Sequence, residues 1–350
     1  MKNKHVKRKV RKVEVQKKLK DFKKRSYPQQ WSAYNESQTK EKYLFLILLK
    51  ELCELIEEPK HEVGRKPKLL KDVIYAICLK TYLNTSSRRV QSDLKLSKKS
   101  DLIEQDIPFN TLLDHLERSC VTDILKKLIE ISALPLKEIE IDFAVDATGF
   151  GISRYETFFS IKLQNDRKMR LFRKCHAVCG VITNVITSVE TSRGTVSDQV
   201  FFQSLVQNTS RNFPIREIMA DKGYLSKKHY NLVRDLGAIA YIPFKKDSTG
   251  GSKSGGDSYT WRAMFRYFRD HREEFLTKYH KRSNIESCFS MIKRKFGNNL
   301  KCKKETSQDN EILAKVLCHN ICVLIQEIFI SNIKVDFNFR AKEYVARKQD

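Results

Sequence analysis

The sequence predicts an α/β protein: a mixed five-stranded sheet with flanking helices, preceded by an all-α region. Three observations predict it. Residues 38–132 carry apolar residues at helical spacing. From residue 137 the texture changes to strand-like runs separated by amphipathic segments. Hydrophobic residues make up 41% of 350 residues, enough for a sizeable core.

The elements follow in order. In "KEKYLFLILLKELCELIEE", Leu46, Leu49, Cys53 and Ile56 fall on one helical stripe. "GRKPKLLKDVIYAICLKTYL" reads as a turn and a second amphipathic helix. "SSRRVQSDLKL" opens with cap residues and two arginines, and "PFNTLLDHLER" opens another helix. Short helices joined by basic turns suit a helix-turn-helix DNA reader, with Arg65, Lys66, Arg88 and Arg89 as its expected DNA contacts. A plain supporting bundle gives the same pattern.

"EIEIDFAVDATG" then alternates, putting Ile139, Ile141, Phe143 and Val145 on one strand face. "FFSIKL", "KCHAVCGVI" and, after a turn at Thr183-Asn184, "VITSVET" continue a meander. "SDQVFFQSLVQN" is a helix capped by Ser197 or Asp198. "IREIMA" is a short buried strand ending at Asp221. "SKKHYNLVRDLG" is a helix closed by Gly237, and "AIAYIPF" is another buried strand. A Gly/Ser-rich loop, a basic aromatic helix from Trp261, and an apolar helix over 310–329 complete the chain. This is the element order of a ribonuclease H-like core. The expected domains are a basic tail (1–27), a helical DNA-binding domain (28–135), the catalytic domain (136–335, with an insert at 245–278) and a C-terminal tail (336–350).

Composition bounds the partners. The formal charge is +25, which repels itself unless a polyanion shares the surface. Nucleic acid is the expected partner, ahead of an anionic membrane surface. No apolar h-region closely follows the basic N-terminus, and the apolar runs at 43–49 and 320–330 are too short to span a bilayer. Nine scattered cysteines read as reduced, so a cytoplasmic location is expected. Cys175, His176 and Cys179 with Cys318, His319 and Cys322 fit zinc spacings poorly and read as core residues.

Three carboxylates stand out: Asp146 closing the first strand, Asp221 closing the fourth, and Glu286 on the late helix. Adjacent strand ends bring the aspartates together, and the helix lowers Glu286 onto them. Converging carboxylates repel, and two divalent cations, Mg2+ or Mn2+, relieve that repulsion. Two such ions activate one oxygen and stabilise another in an in-line displacement. Each acid also has a bland reading. "DATG" and "ADKGY" are turn chemistry, and "SNIE" (Ser283–Glu286) matches a capping box. Their joint placement favours the metal site. Ile285, Phe289, Ile292 and Phe296 form a buried stripe. Tyr279, Arg282, Glu286 and Lys293 share the adjacent stripe of a continuous helix, or else Tyr279 and Arg282 lie in the turn before it. Arg282 and Lys293 offer a fork and a point charge to phosphate.

At these residues the sequence resembles a DDE transposase of prokaryotic insertion sequences, the group with a Tyr-x2-Arg-x3-Glu-x6-Lys signature, matched by Tyr279, Arg282, Glu286 and Lys293. The resemblance spans residues 64–330. It implies that Asp146, Asp221 and Glu286 bind two metal ions. It further implies that Tyr279, Arg282 and Lys293 hold the transposon-end strand, and that the freed 3′-hydroxyl attacks target double-stranded DNA. Binding to terminal inverted repeats and a homodimer that synapses two ends are implied with it. Thr191 and Asp198 fall in another familiar stretch, but Ser197 replaces the histidine of many relatives. A catalytically inactive DNA-binding derivative and a metal-dependent nuclease without strand transfer are the competing functions.

Overall fold

The computed structural model describes residues 30–60, 64, 66–152, 172–250 and 259–349. The expected basic tail, Arg65, the "FFSIKL" strand and part of the Gly/Ser-rich insert lie outside these residues.

Five helices come first: α1 (Trp31–Cys53), α2 (Leu70–Tyr82), α3 (Gln91–Lys99), α4 (Phe109–Leu116) and α5 (Ser119–Ala133). On α1, Phe45, Leu48, Leu49, Leu52 and Cys53 are buried at steps of three, one, three and one, the face an amphipathic helix turns to a core. On α2 every residue from Val73 to Leu79 is buried, so this helix is sealed all round.

The sheet contains β1 (Asp142–Gly151), β2 (Phe172–Gly180), β3 (Ile186–Arg193), β4 (Glu217–Ala220) and β5 (Ile239–Tyr241) in the order β3-β2-β1-β4-β5. β2 runs antiparallel to β1 and β3, whereas β1, β4 and β5 are parallel. α6 (Phe202–Asn212) and α7 (Lys227–Asp235) connect β3, β4 and β5. The hydroxyl of Ser226 caps α7 by accepting from the Lys228 N–H, and Gly237 follows the helix with φ +74°. After the sheet come α8 (Tyr259–Asp270), α9 (Arg272–Tyr279), α10 (Ser283–Phe296), α11 (Glu305–Ile330) and α12 (Phe337–Gln349).

Four details depart from the sequence reading. β1 starts at Asp142 rather than 137, because residues 137–139 form a turn. Phe143, Ala144 and Val145 are all buried, since helices cover both faces of this central strand and erase the alternation. The last apolar run belongs to a 26-residue helix, long and apolar enough to cross a membrane, yet 78% of its apolar window is buried in this fold. It packs against α1, α2, α5 and β3. The expected C-terminal tail forms α12, where Phe337 and Tyr344 are buried and the Tyr344 hydroxyl donates to Glu130 at 2.7 Å. One hydrophobic core runs through α1–α5, the sheet and α11, so the 135/136 boundary separates element types rather than cores.

Candidate active site

The strand register brings the two aspartates together. The parallel β1–β4 ladder ends at Val145 opposite Ala220, so Asp146 and Asp221 are the next residues on neighbouring chains. Such chains lie about 4.8 Å apart. β1 does not end at Asp146 as expected. It continues to Gly151 paired with β2 and no longer with β4, so Asp146 sits where the β1–β4 ladder stops. Asp221 leaves β4 and opens a single 3-10 turn, Lys222–Tyr224, without a side-chain cap bond. Its carboxylate is therefore free of the turn duty that its sequence context suggested.

Glu286 arrives on the first turn of α10. Ile285, Phe289, Ile292 and Phe296 are buried as expected and seat that helix on the sheet. The capping box does not form. Ser283 is already inside the helix, Arg282 occupies the N-cap without a side-chain bond, and the Glu286 carboxylate turns to Arg282 instead. The helix is not continuous back to Tyr279. Tyr279 ends α9, and His280–Arg282 form a 3-10 turn.

Arg282 is the hub. Its guanidinium donates to Asp146 Oδ2 and to Glu286 Oε1, each at 2.5 Å, and lies 5.8 Å from the Tyr279 ring. The Tyr279 hydroxyl donates to Asp221 Oδ1 at 3.5 Å. Burial pushes the Asp146 carboxyl up, and Asp221 and Glu286 push it further, while the Ala147 N–H and Arg282 hold it down. A second network fixes the turn that carries Arg282. Lys281 donates to Asp142 at 2.9 Å and to Glu217 at 3.2 Å, Lys278 donates to Glu217 at 2.6 Å, and Arg216 holds Asp142 with two bonds. Burial alone would raise the Asp142 carboxyl, but the bonds from Arg216 and Lys281 outweigh it and lower it.

Lys293 lies further along β1. Its ammonium donates to Thr148 Oγ1 at 2.6 Å and stands 5.4 Å from the Phe150 ring centroid. Burial lowers its proton affinity. Lys66 is exposed on the loop before α2. Arg88 stacks on Phe109 at 4.8 Å, and Arg89 lines a cavity away from the acids.

Near the acids, Tyr224 escaped the sequence reading, and the partners of His176 and Asp198 were not foreseen. Tyr224 is 2% exposed, and its buried hydroxyl has no hydrogen-bond partner among the described residues. Burial raises its proton affinity, and the charges of Asp146, Asp198 and Asp221 add to the effect. His176 is fully buried, with Nε2 2.8 Å from the Ser192 hydroxyl and Nδ1 3.6 Å from Asp198. Asp198 itself accepts from Lys174 at 2.9 Å. Only the one-turn distance of Tyr224 from Asp221 could have pointed to it.

Among the described residues, no group of three or more His, Cys, Asp or Glu is gathered to hold a metal ion. The expected two-ion cradle is therefore not formed while Arg282 stands between Asp146 and Glu286. The donor chemistry still fits hard divalent ions: oxygen ligands only, and a carboxyl raised by burial and then by its acidic neighbours. The CHAVC and CHNIC residues are built into the core. The His319 ring contacts the Asn184 carbonyl at 2.9 Å and Cys288 at 3.3 Å.

The sheet order and its flanking helices place the protein in the ribonuclease H-like class of transposase folds. A family model described as the transposase DDE domain matches residues 139–321, just over half of the sequence, and the chain belongs to that family. No curated protein and no solved structure matches the chain significantly.

Proposed function

We propose that the protein is an active DNA transposase that binds the terminal inverted repeats of its own element, cleaves at the ends and joins the 3′-hydroxyl ends to target DNA. Asp146, Asp221 and Glu286 are its catalytic acids. One observation carries this reading: the β1–β4 register makes Asp146 and Asp221 neighbours, and a single guanidinium ties Asp146 to Glu286.

Two Mg2+ or Mn2+ ions, when bound, would supply Lewis-acid activation of the attacking oxygen and charge stabilisation of the leaving one. Asp146, Asp221 and Glu286 would hold them. Arg282 turns from the acids to a phosphate, for which its planar fork is suited. Lys293 holds the same strand as a point charge, and the Tyr279 ring braces Arg282. In the first step a water oxygen bonds to phosphorus as the P–O3′ bond breaks, leaving a 3′-hydroxyl and a 5′-phosphate. In the second, that 3′ oxygen bonds to a target phosphorus and a target 3′ oxygen departs. The helices of residues 28–135 read the ends, and a homodimer holds two of them.

The test is nicking and joining of a supercoiled plasmid carrying the element ends. Asp146→Asn, Asp221→Asn and Glu286→Gln are each expected to abolish strand cleavage while DNA binding persists. Wild-type cleavage by any one of them removes that residue from the site. Cleavage without joined products identifies a nuclease instead.

A further inference from the structure

A cationic groove lies at the far end of the strand that carries Asp146. Two adjoining cavities of about 710 and 580 Å3 share Ser86, Lys301, Cys302 and Lys303 as walls. Their cationic lining is Lys80, Arg88, Arg89, Lys301, Lys303 and Lys304, against one carboxylate, Glu117, which Lys304 holds at 2.5 Å. Arg89 and Lys303 are exposed and have no ion-pair partner among the described residues.

The groove is built, and its distance from the acids is fixed. Gly151 N donates to the Asn298 carbonyl at 3.1 Å, and Leu300 N donates to the Gly151 carbonyl at 2.8 Å. A side chain at Gly151 would meet Asn299 Oδ1 at 2.5 Å, so anything larger than glycine would push the Asn299 side chain aside. Lys301 donates to the Asn84 carbonyl at 2.6 Å and to its Oδ1 at 2.7 Å, locking the opposite wall. From below, the Glu311 carboxylate accepts from the Lys301 and Cys302 N–H groups, and Lys315 donates to the Gly297 and Asn299 carbonyls.

Three cationic stations therefore follow one another along β1: Arg282 at Asp146, Lys293 at Thr148, and the groove beyond Gly151. Asp146 to Ile152 is six steps of about 3.3 Å, roughly 20 Å. Duplex DNA rises 3.4 Å per base pair, so this span matches about six base pairs.

We propose that this groove is a second DNA-backbone site, gripping the duplex about six base pairs from the reacting phosphate and so setting which phosphate lies over the acids. It rests on the reading that the protein acts on DNA. Arg89 and Lys303 supply its free charges, and the locked walls make it a ruler.

The experiment is fluorescence anisotropy of the full chain on a labelled 30-base-pair duplex of arbitrary sequence, in EDTA, across KCl concentrations. Arg89→Gln with Lys303→Gln should lower the slope of log K against log salt by about 1.8, two contacts at about 0.9 each, with an unchanged melting temperature. The charge-preserving pair Arg89→Lys with Lys303→Arg should keep the wild-type slope. Adding Lys293→Ala to the Gln pair should lower the slope by about 0.9 more. A wild-type slope in the Gln pair overturns the groove. Wild-type plasmid nicking in Mg2+ is scored separately. A lowered slope without nicking leaves the groove standing and removes the catalytic reading. Nicking with an unchanged slope removes the groove alone.

Discussion

Replacing Arg282 by alanine should make the DNA-free protein bind Mn2+ more tightly. In the wild type, any divalent ion entering between Asp146 and Glu286 must first displace the guanidinium. The size of that barrier follows from the two contacts. The Asp146 side chain is 20% exposed and Arg282 19%, so their charge-assisted bond is mostly screened from water. Such bonds contribute about 1.5–3 kcal/mol. Glu286 is 57% exposed, and its half of the fork adds less than about 1 kcal/mol. The sum, about 1.5–4 kcal/mol, corresponds to roughly 10- to 700-fold in affinity at 1.4 kcal/mol per tenfold.

The assay is loss of the free Mn2+ electron paramagnetic resonance signal on titration with protein in the absence of DNA. Arg282→Ala should shift the midpoint by about that factor. Arg282→Lys should fall between, because an ammonium keeps the positive charge but lacks the planar fork. In the wild type, added duplex should tighten Mn2+ binding, since phosphate draws the guanidinium off the acids, and by linkage Mn2+ should tighten duplex binding equally. An Arg282→Ala protein that binds Mn2+ no better than the wild type refutes the reasoning.

Two further outcomes concern stability. Burial lowers the His176 imidazole to about 4, against about 6.5 in the unfolded chain, with Asp198 only partly offsetting it. The unfolded chain then takes up a proton that the fold refuses. Stability is whole above about pH 7 and is lost as pH falls from 6.5 towards 4, by about 2–3 kcal/mol. Urea midpoints measured from pH 7.5 to 4.5 should fall less steeply in His176→Gln, and parallel curves would contradict the assignment. Lys315→Met leaves Glu311 charged and buried beneath the 297–302 loop, and should cost about 3–5 kcal/mol. Denaturation by urea measures this, and a loss below about 1 kcal/mol would mean that water reaches the carboxylate.

Much of the architecture was legible because periodicity reports burial. The stripe Ile285, Phe289, Ile292, Phe296 predicted which face of α10 meets the sheet, and all four are buried. Where burial surrounds an element, periodicity fails. β1 is covered on both faces, so its start could not be read from alternation, and its run past Asp146 depends on pairing with β2 rather than on its own residues. The acids were visible as strand ends and a lone carboxylate among bases. The fork from Arg282 to Asp146 was not, because it joins residues 136 positions apart and depends on a 3-10 turn held by Lys278 and Lys281. Tyr224 and the contacts of His176 were hidden for the same reason: their neighbours come from elements distant in sequence.

The lone Glu286 in a run of bases from Tyr279 to Gly297 poses a charge problem with two solutions in one side chain. Without DNA, two acids at the sheet edge and a third on α10 would repel, and a proton on Asp146 would relieve them. Arg282 lowers that need by donating to Asp146 and to Glu286 from one planar guanidinium. With DNA present, the same fork matches a phosphate. On the proposed reading, its departure would uncover the acids as the phosphate arrives, and they would then be open to a divalent ion.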